Sequence, residues 1–175
     1  MTRVELAPRA ATAFIGLLMV FAVGGMVIGA LLAGGAHNVA KVQGGSAITY
    51  MVSGAVMGVV GAIVLAYARR QLGAVREIVV DERGWTLVDR RGKTVTLAPG
   101  ATVELLLRCR REVYAFNGIP RIRDVVDGVL RAGATEKRLA PSGPFTYNAA
   151  LPQLGIHASA PARGHTARYT VLLAV

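Results

Sequence analysis

Two long stretches without Asp, Glu, Lys, Arg or His dominate the first seventy residues. The first runs from residue 10 to 36, between Arg9 and His37, and the second from 42 to 68, between Lys41 and Arg69. Each holds 27 residues, more than the roughly 20 that cross a hydrocarbon core of about 30 Å at 1.5 Å per residue. Neither has a polar stripe of the kind a soluble core helix presents to water. The pattern therefore predicts two transmembrane helices, 10–36 and 42–68, joined by an external loop over 37–45 and preceded by a short segment, 1–9. A cleavable signal peptide would have an apolar region of only about 7–15 residues. Ala33-Gly34-Gly35-Ala36 resembles a cleavage site, but the run before it is too long.

From Glu77 the period changes. Short runs at 78–81, 85–89 and 93–97 alternate apolar and polar residues, as half-buried strands do. They are separated by Asp81-Glu82-Arg83-Gly84 and Asp89-Arg90-Arg91-Gly92, in which an Asp caps a turn and a Gly supplies a positive φ. A longer strand is predicted over 101–109, with Val103, Leu105, Leu107 and Cys109 on one face, returning through Arg110-Arg111 into 112–117. Ile122, Val125, Val126, Val129 and Leu130 follow the i, i+3, i+4, i+7, i+8 stripe of an amphipathic helix. With Pro120 in its first turn and Gly133 beyond its end, that helix is expected over 120–132. Pro141, Pro144, Pro152 and Pro161 then read as loop, and 166–173 as a final strand. The fold class is a membrane α-helical hairpin followed by an α+β, mainly-β extramembrane domain spanning 77–175.

Charge orients the hairpin. Arg3 and Arg9 precede the first span, Lys41 lies in the connection, and Arg69, Arg70 and Arg76 follow the second. Lys and Arg resist translocation, so both termini are expected in the cytoplasm, with the chain integral to a bacterial inner membrane. Mean hydropathy is +0.47 and net charge +10. From Arg69 onward 17 Lys and Arg stand against 9 Asp and Glu, so the basic excess belongs mainly to the domain. Arg69, Arg70 and Arg76 are the candidates for anionic lipid at the membrane surface. Arg83, Arg90, Arg91, Lys93, Arg108, Arg110 and Arg111 form a possible binding surface. Gly25, Gly29, Gly54 and Gly58 are spaced for close helix packing, with Gly61 one turn on, either within the hairpin or between copies of the chain.

Site chemistry is sparse. No Asp, Glu, Lys, Arg or His lies within either span, which argues against a proton relay or ion path. His37, His157, His165 and Cys109 lack metal-ligand spacing, and Cys109 reads as a small apolar residue on the inner strand face. Asp124 and Asp127 read as the polar face of the expected helix, with Arg131 as ion-pair partner. Trp85 reads as core. No phosphate-cradling loop or nucleophile elbow is present, so neither catalysis nor a cofactor is expected. Nucleic-acid binding lacks a motif.

Two helices, strands with Asp-Arg-Arg-Gly-type turns over 78–107, a longer fourth strand and a helix at 120–132 resemble the bacterial pleckstrin-homology-like membrane proteins. The resemblance implies a bent sheet or partly open barrel with one capping helix, used for binding and assembly rather than catalysis. The expected function is a non-catalytic, membrane-anchored module that presents its basic domain to membrane lipids or a protein partner. The alternative is a small accessory subunit of a membrane complex, assembled through the glycine faces of the helices.

Overall fold

The computed structural model describes residues 1–82, 84–116 and 119–173. In chain order the elements are β1 (Thr2–Glu5), α1 (Arg9–Gly34), α2 (Ala36–Gln43), α3 (Ala47–Leu72), β2 (Val75–Asp81), β3 (Gly84–Asp89), β4 (Thr94–Leu97), β5 (Thr102–Phe116), β6 (Ile119–Ala132), β7 (Thr135–Ser142), α4 (Pro144–Gln153) and β8 (Thr166–Leu172). They form two compact units, Ala10–Leu72 and a sheet domain made of Met1–Arg9 with Gly73–Val175.

In the helical unit α1 and α3 each have 26 residues, about 39 Å at 1.5 Å per residue. Both are long and apolar enough to cross a membrane. The second begins later than the uncharged run and carries Arg69 and Arg70 in its last turn, where cations offset the helix dipole. The connection expected as a loop over 37–45 contains the eight-residue α2, which gives way at Gly44 (φ 76°) and Gly45 (φ 97°). Leu17, Phe21, Leu31, Val52, Val59 and Ile63 are each more than half exposed. An apolar surface of that extent on both helices suits lipid rather than water.

The seam between α1 and α3 differs from the expected glycine pairs. A Cβ at Gly29 would lie 2.6 Å from the Gly54 carbonyl oxygen, one at Gly54 would lie 2.5 Å from the Gly29 oxygen, and one at Gly61 would lie 2.8 Å from that of Ala22. Gly25 and Gly58 have open space where a Cβ would go. The reason is periodicity. Buried positions recur every seven residues, at Ile15, Ala22 and Gly29 on α1 and at Gly54, Gly61 and Ala68 on α3. A seam of that repeat passes by a glycine placed four residues from a member of it.

In the sheet domain, β1 pairs antiparallel with β2, Val4 opposite Ile78. Val4 and Leu6 are each 1% exposed within the core. Residues before the first apolar helix are thus part of the fold that follows the second.

The strands form a single mixed sheet in the order β4-β3-β2-β7-β6-β5-β8, with β1 also on β2. Two antiparallel meanders, β2-β3-β4 and β5-β6-β7, meet where β2 and β7 run parallel at Val75 and Leu139. Trp85, Leu87, Leu105, Leu107 and Leu130 from the strands and Tyr147, Leu151 and Leu154 from the α4 segment share one core. The Asp89 turn has the expected chemistry: Asp89 Oδ1 accepts the Arg91 and Lys93 amides at 2.8 and 2.9 Å, and Gly92 has φ 80°.

Three expectations are corrected. First, no turn occurs at Arg110-Arg111: residues 101–109 and 112–117 were to be two strands, but β5 continues through both arginines to Phe116, and Asn117 lies outside the described residues. Second, residues 120–132 form β6, not a helix. The apparent helical stripe is a strand with both faces covered at its centre, Val125 at 4% and Val126 at 0% exposure, and its β-branched residues suit a pleated surface. Gly128 marks a bulge in the pairing with β7; a Cβ there would lie 2.5 Å from Leu107 Cδ2. Third, the proline-rich tail is not loop throughout. It contains β7, and Pro144 starts α4, the helix that covers the core, because proline is tolerated in a first helical turn.

Candidate interaction surface

The expected cations do not converge. Arg69 and Arg70 are exposed on the last turn of α3, and Arg76 is half-buried on β2. Arg83 lies outside the described residues. Arg90 is only 8% exposed, a correction to its place on a binding surface: its backbone is drawn in by a hydrogen bond to the Ala74 carbonyl. Arg91 and Lys93 are exposed beside β4, whereas Arg108, Arg110 and Arg111 lie on β5, with four strands between the two in the sheet order. Arg110 is occupied by Glu112 at 2.7 Å and Asp127 at 3.7 Å. The partner expected for Asp127, Arg131, bonds Glu136 at 2.8 Å instead, since β6 places it opposite Glu104 and away from any helical i+4 neighbour.

Cys109 is 2% exposed. Burial, and then the charges of Asp124 and Asp127, push its thiol up, which disfavours the nucleophilic thiolate. Among the described residues no three His, Cys, Asp or Glu side chains gather as metal ligands. An open groove of about 380 Å³ lies between β1 and α4, bordered by Arg3, Glu5, Phe145 and Gln153. Arg3 is turned toward Glu77 at 3.6 Å.

One exposed apolar feature of the sheet domain is not revealed by periodicity. β8 pairs with β5 only over Thr102–Arg108, and β7 pairs with β6 only over Val126–Ala132. Beyond those limits, residues 110–116 and 119–125 continue as a two-stranded ribbon in unbroken register, about 23 Å long at 3.3 Å per residue. Opposed residues in an antiparallel pair share a face. Val113 therefore sits with Ile122 on the face that continues from the core, and Tyr114 sits with Arg121 on the other. Val113, Ile119 and Ile122 are 69%, 59% and 60% exposed. The Arg123 guanidinium stacks over the Tyr114 ring at 5.1 Å and bonds Glu112 at 3.2 Å. A signal for this hairpin was present: Asn117-Gly118 is a strong two-residue hairpin dipeptide, flanked by Val113-Tyr114-Ala115-Phe116 and Ile119-Pro120-Arg121-Ile122.

Comparison with known protein families, with curated proteins and with solved structures finds no match to this chain.

Proposed function

We propose that the chain is a non-catalytic, membrane-anchored binding module: α1 and α3 hold it in a bacterial inner membrane, and the basic sheet domain is presented to the cytoplasm. The observation that carries this reading is the β1–β2 pair, which closes one folded domain around both ends of two membrane-length helices. Positive charge beside the helix ends supports the cytoplasmic side. The helix over 120–132 on which the pleckstrin-homology-like resemblance relied is the strand β6, so that resemblance carries no part of this proposal. The alternative, assembly through glycine faces, has less surface to use, because Gly29, Gly54 and Gly61 are engaged within the hairpin.

The test is purification of the tagged full-length chain in mild detergent from its native membrane, with a Gly54→Leu variant alongside. A stoichiometric partner retained by the variant supports binding through the sheet domain. Turnover of a substrate by the purified chain overturns the module reading. Loss of the partner in the variant, with the sheet domain still folded, favours the accessory-subunit alternative.

A further inference from the structure

We infer that the β5–β6 ribbon is a membrane-docking element, whose exposed Val113, Tyr114, Ile119 and Ile122 enter the headgroup region of an anionic bilayer. The inference rests on the membrane-anchored reading above. Three observations carry it. The first is composition: from Arg110 to Asp124 four arginines stand against Glu112 and Asp124, a net charge of +2, and from Val113 to Arg123 there is no acid. The second is geometry. The ribbon extends past its neighbouring strands with Val113 and Ile122 on one face and Tyr114 and Arg121 on the other, so an apolar face and an aromatic–cationic face are presented together. Aliphatic groups gain by entering the acyl boundary, while tyrosine and arginine are favoured at the headgroup level. The third is tethering. Only Leu6–Pro8 separate β1 from α1, and only Gly73 and Ala74 separate α3 from β2, so two short links tether the domain to the membrane anchor. For a tethered domain a lipid surface is present at high effective concentration, and its anionic headgroups complement the ribbon's net positive charge. A protein partner would need a matching acidic, apolar groove; the bilayer supplies both features without one.

The test uses the full-length chain in lipid nanodiscs. Ile122→Cys in a Cys109→Ala background carries an environment-sensitive fluorophore, and the discs contain phosphatidylcholine alone or with about one-third phosphatidylglycerol, each with a spin-labelled lipid quencher. The expected result is a blue shift and strong quenching in the anionic discs, falling to the zwitterionic level in Arg121→Gln/Arg123→Gln. Hydrogen exchange of the unmodified chain in the same discs gives an independent reading: amides of 110–124 slow several-fold in anionic lipid. Equal quenching in both lipids, or none in either, overturns the inference, as does exchange that ignores lipid charge. Incorporation into discs is scored separately. A chain that enters discs without quenching defeats only the ribbon, whereas one that stays out defeats the anchoring reading with it.

Discussion

Val4 lies opposite Ile78 across the β1–β2 pair, both at most 1% exposed, although both membrane-length helices intervene between them in the chain. The sheet domain is therefore discontinuous in sequence, and the six or so residues before α1 are structural. Leu6→Ala is expected to destabilise the full chain by about 2–5 kcal/mol, the range for truncating a buried leucine, while Thr2→Ala stays within about 0.5 kcal/mol. Thermal unfolding in detergent measures both. Equal, small effects would mean that β1 is not part of the folded domain.

Gly54 and Gly58 differ by one helical turn and are expected to differ in tolerance. Gly54→Val forces atoms into the Gly29 and Ala33 backbone and should cost about 1–3 kcal/mol, the range for overpacking. Gly58→Ala meets open space and should be neutral or stabilise by up to about 1 kcal/mol through helix propensity. Unfolding of α1–α3 in mixed micelles titrated with a denaturing detergent distinguishes them. The reverse ranking would require a different helix seam.

The contrast between the hairpin and β6 shows what one sequence discloses. Uncharged runs between Arg9 and His37 and between Lys41 and Arg69 locate α1 and α3 because length and hydropathy are local properties. The Asp89 turn is similarly local: carboxylate, two acceptable amides and a glycine lie within five residues. β6 is different. Its residues Ile122, Val125, Val126, Val129 and Leu130 fit a helical stripe, and only pairing with thirteen residues of β5 and a bulge at Gly128 makes them a strand. Gly128 and the β-branched valines were signs against a helix. The ribbon was lost by the same error, since ending one strand at Cys109, turning at Arg110-Arg111 and starting a helix at Pro120 paired residues 112–117 with 101–109 and not with 119–123. Arg90 looked exposed because turn tips usually are; its burial beside Ala74, whose carbonyl accepts the Arg90 amide, is a non-local contact that no local pattern encodes.

The first meander depends on two turn residues. Asp89→Ala removes the acceptor of two backbone amides and is expected to cost about 1–2 kcal/mol, with Asp89→Asn recovering most of it. Gly84→Ala should cost more, because φ is 103° and the new Cβ would collide with the Leu97 carbonyl oxygen. Denaturant titration followed through Trp85 emission, a neighbour in the chain of Gly84, reads both variants. A silent Gly84→Ala would contradict the β3–β4 register.

Tyr147 supplies a dependence on alkaline pH. Its ring is 1% exposed, and its hydroxyl donates to the Ala140 carbonyl at 2.9 Å. Burial, with a smaller contribution from Asp127, raises its pKa above the ordinary tyrosine range, while an unfolded tyrosine ionises near 10. Above about pH 10 the unfolded chain therefore holds fewer protons than the folded one, and stability falls by about 1.4 kcal/mol per pH unit for this group until the folded value is reached. Below about pH 10 its contribution is fully present. Tyr147→Phe should lose about 1–3 kcal/mol at neutral pH, because the Ala140 carbonyl is left buried without its donor. The same variant should show a shallower decline above pH 10. Tyr169 and Cys109, both raised by burial, keep the residual slope from reaching zero. Denaturant midpoints of wild type and variant between neutral pH and about pH 11 test the sign and the slope together. Parallel curves would show that Tyr147 ionises as readily in the folded chain as in the unfolded one, and would remove the buried hydroxyl from its place between β7 and α4.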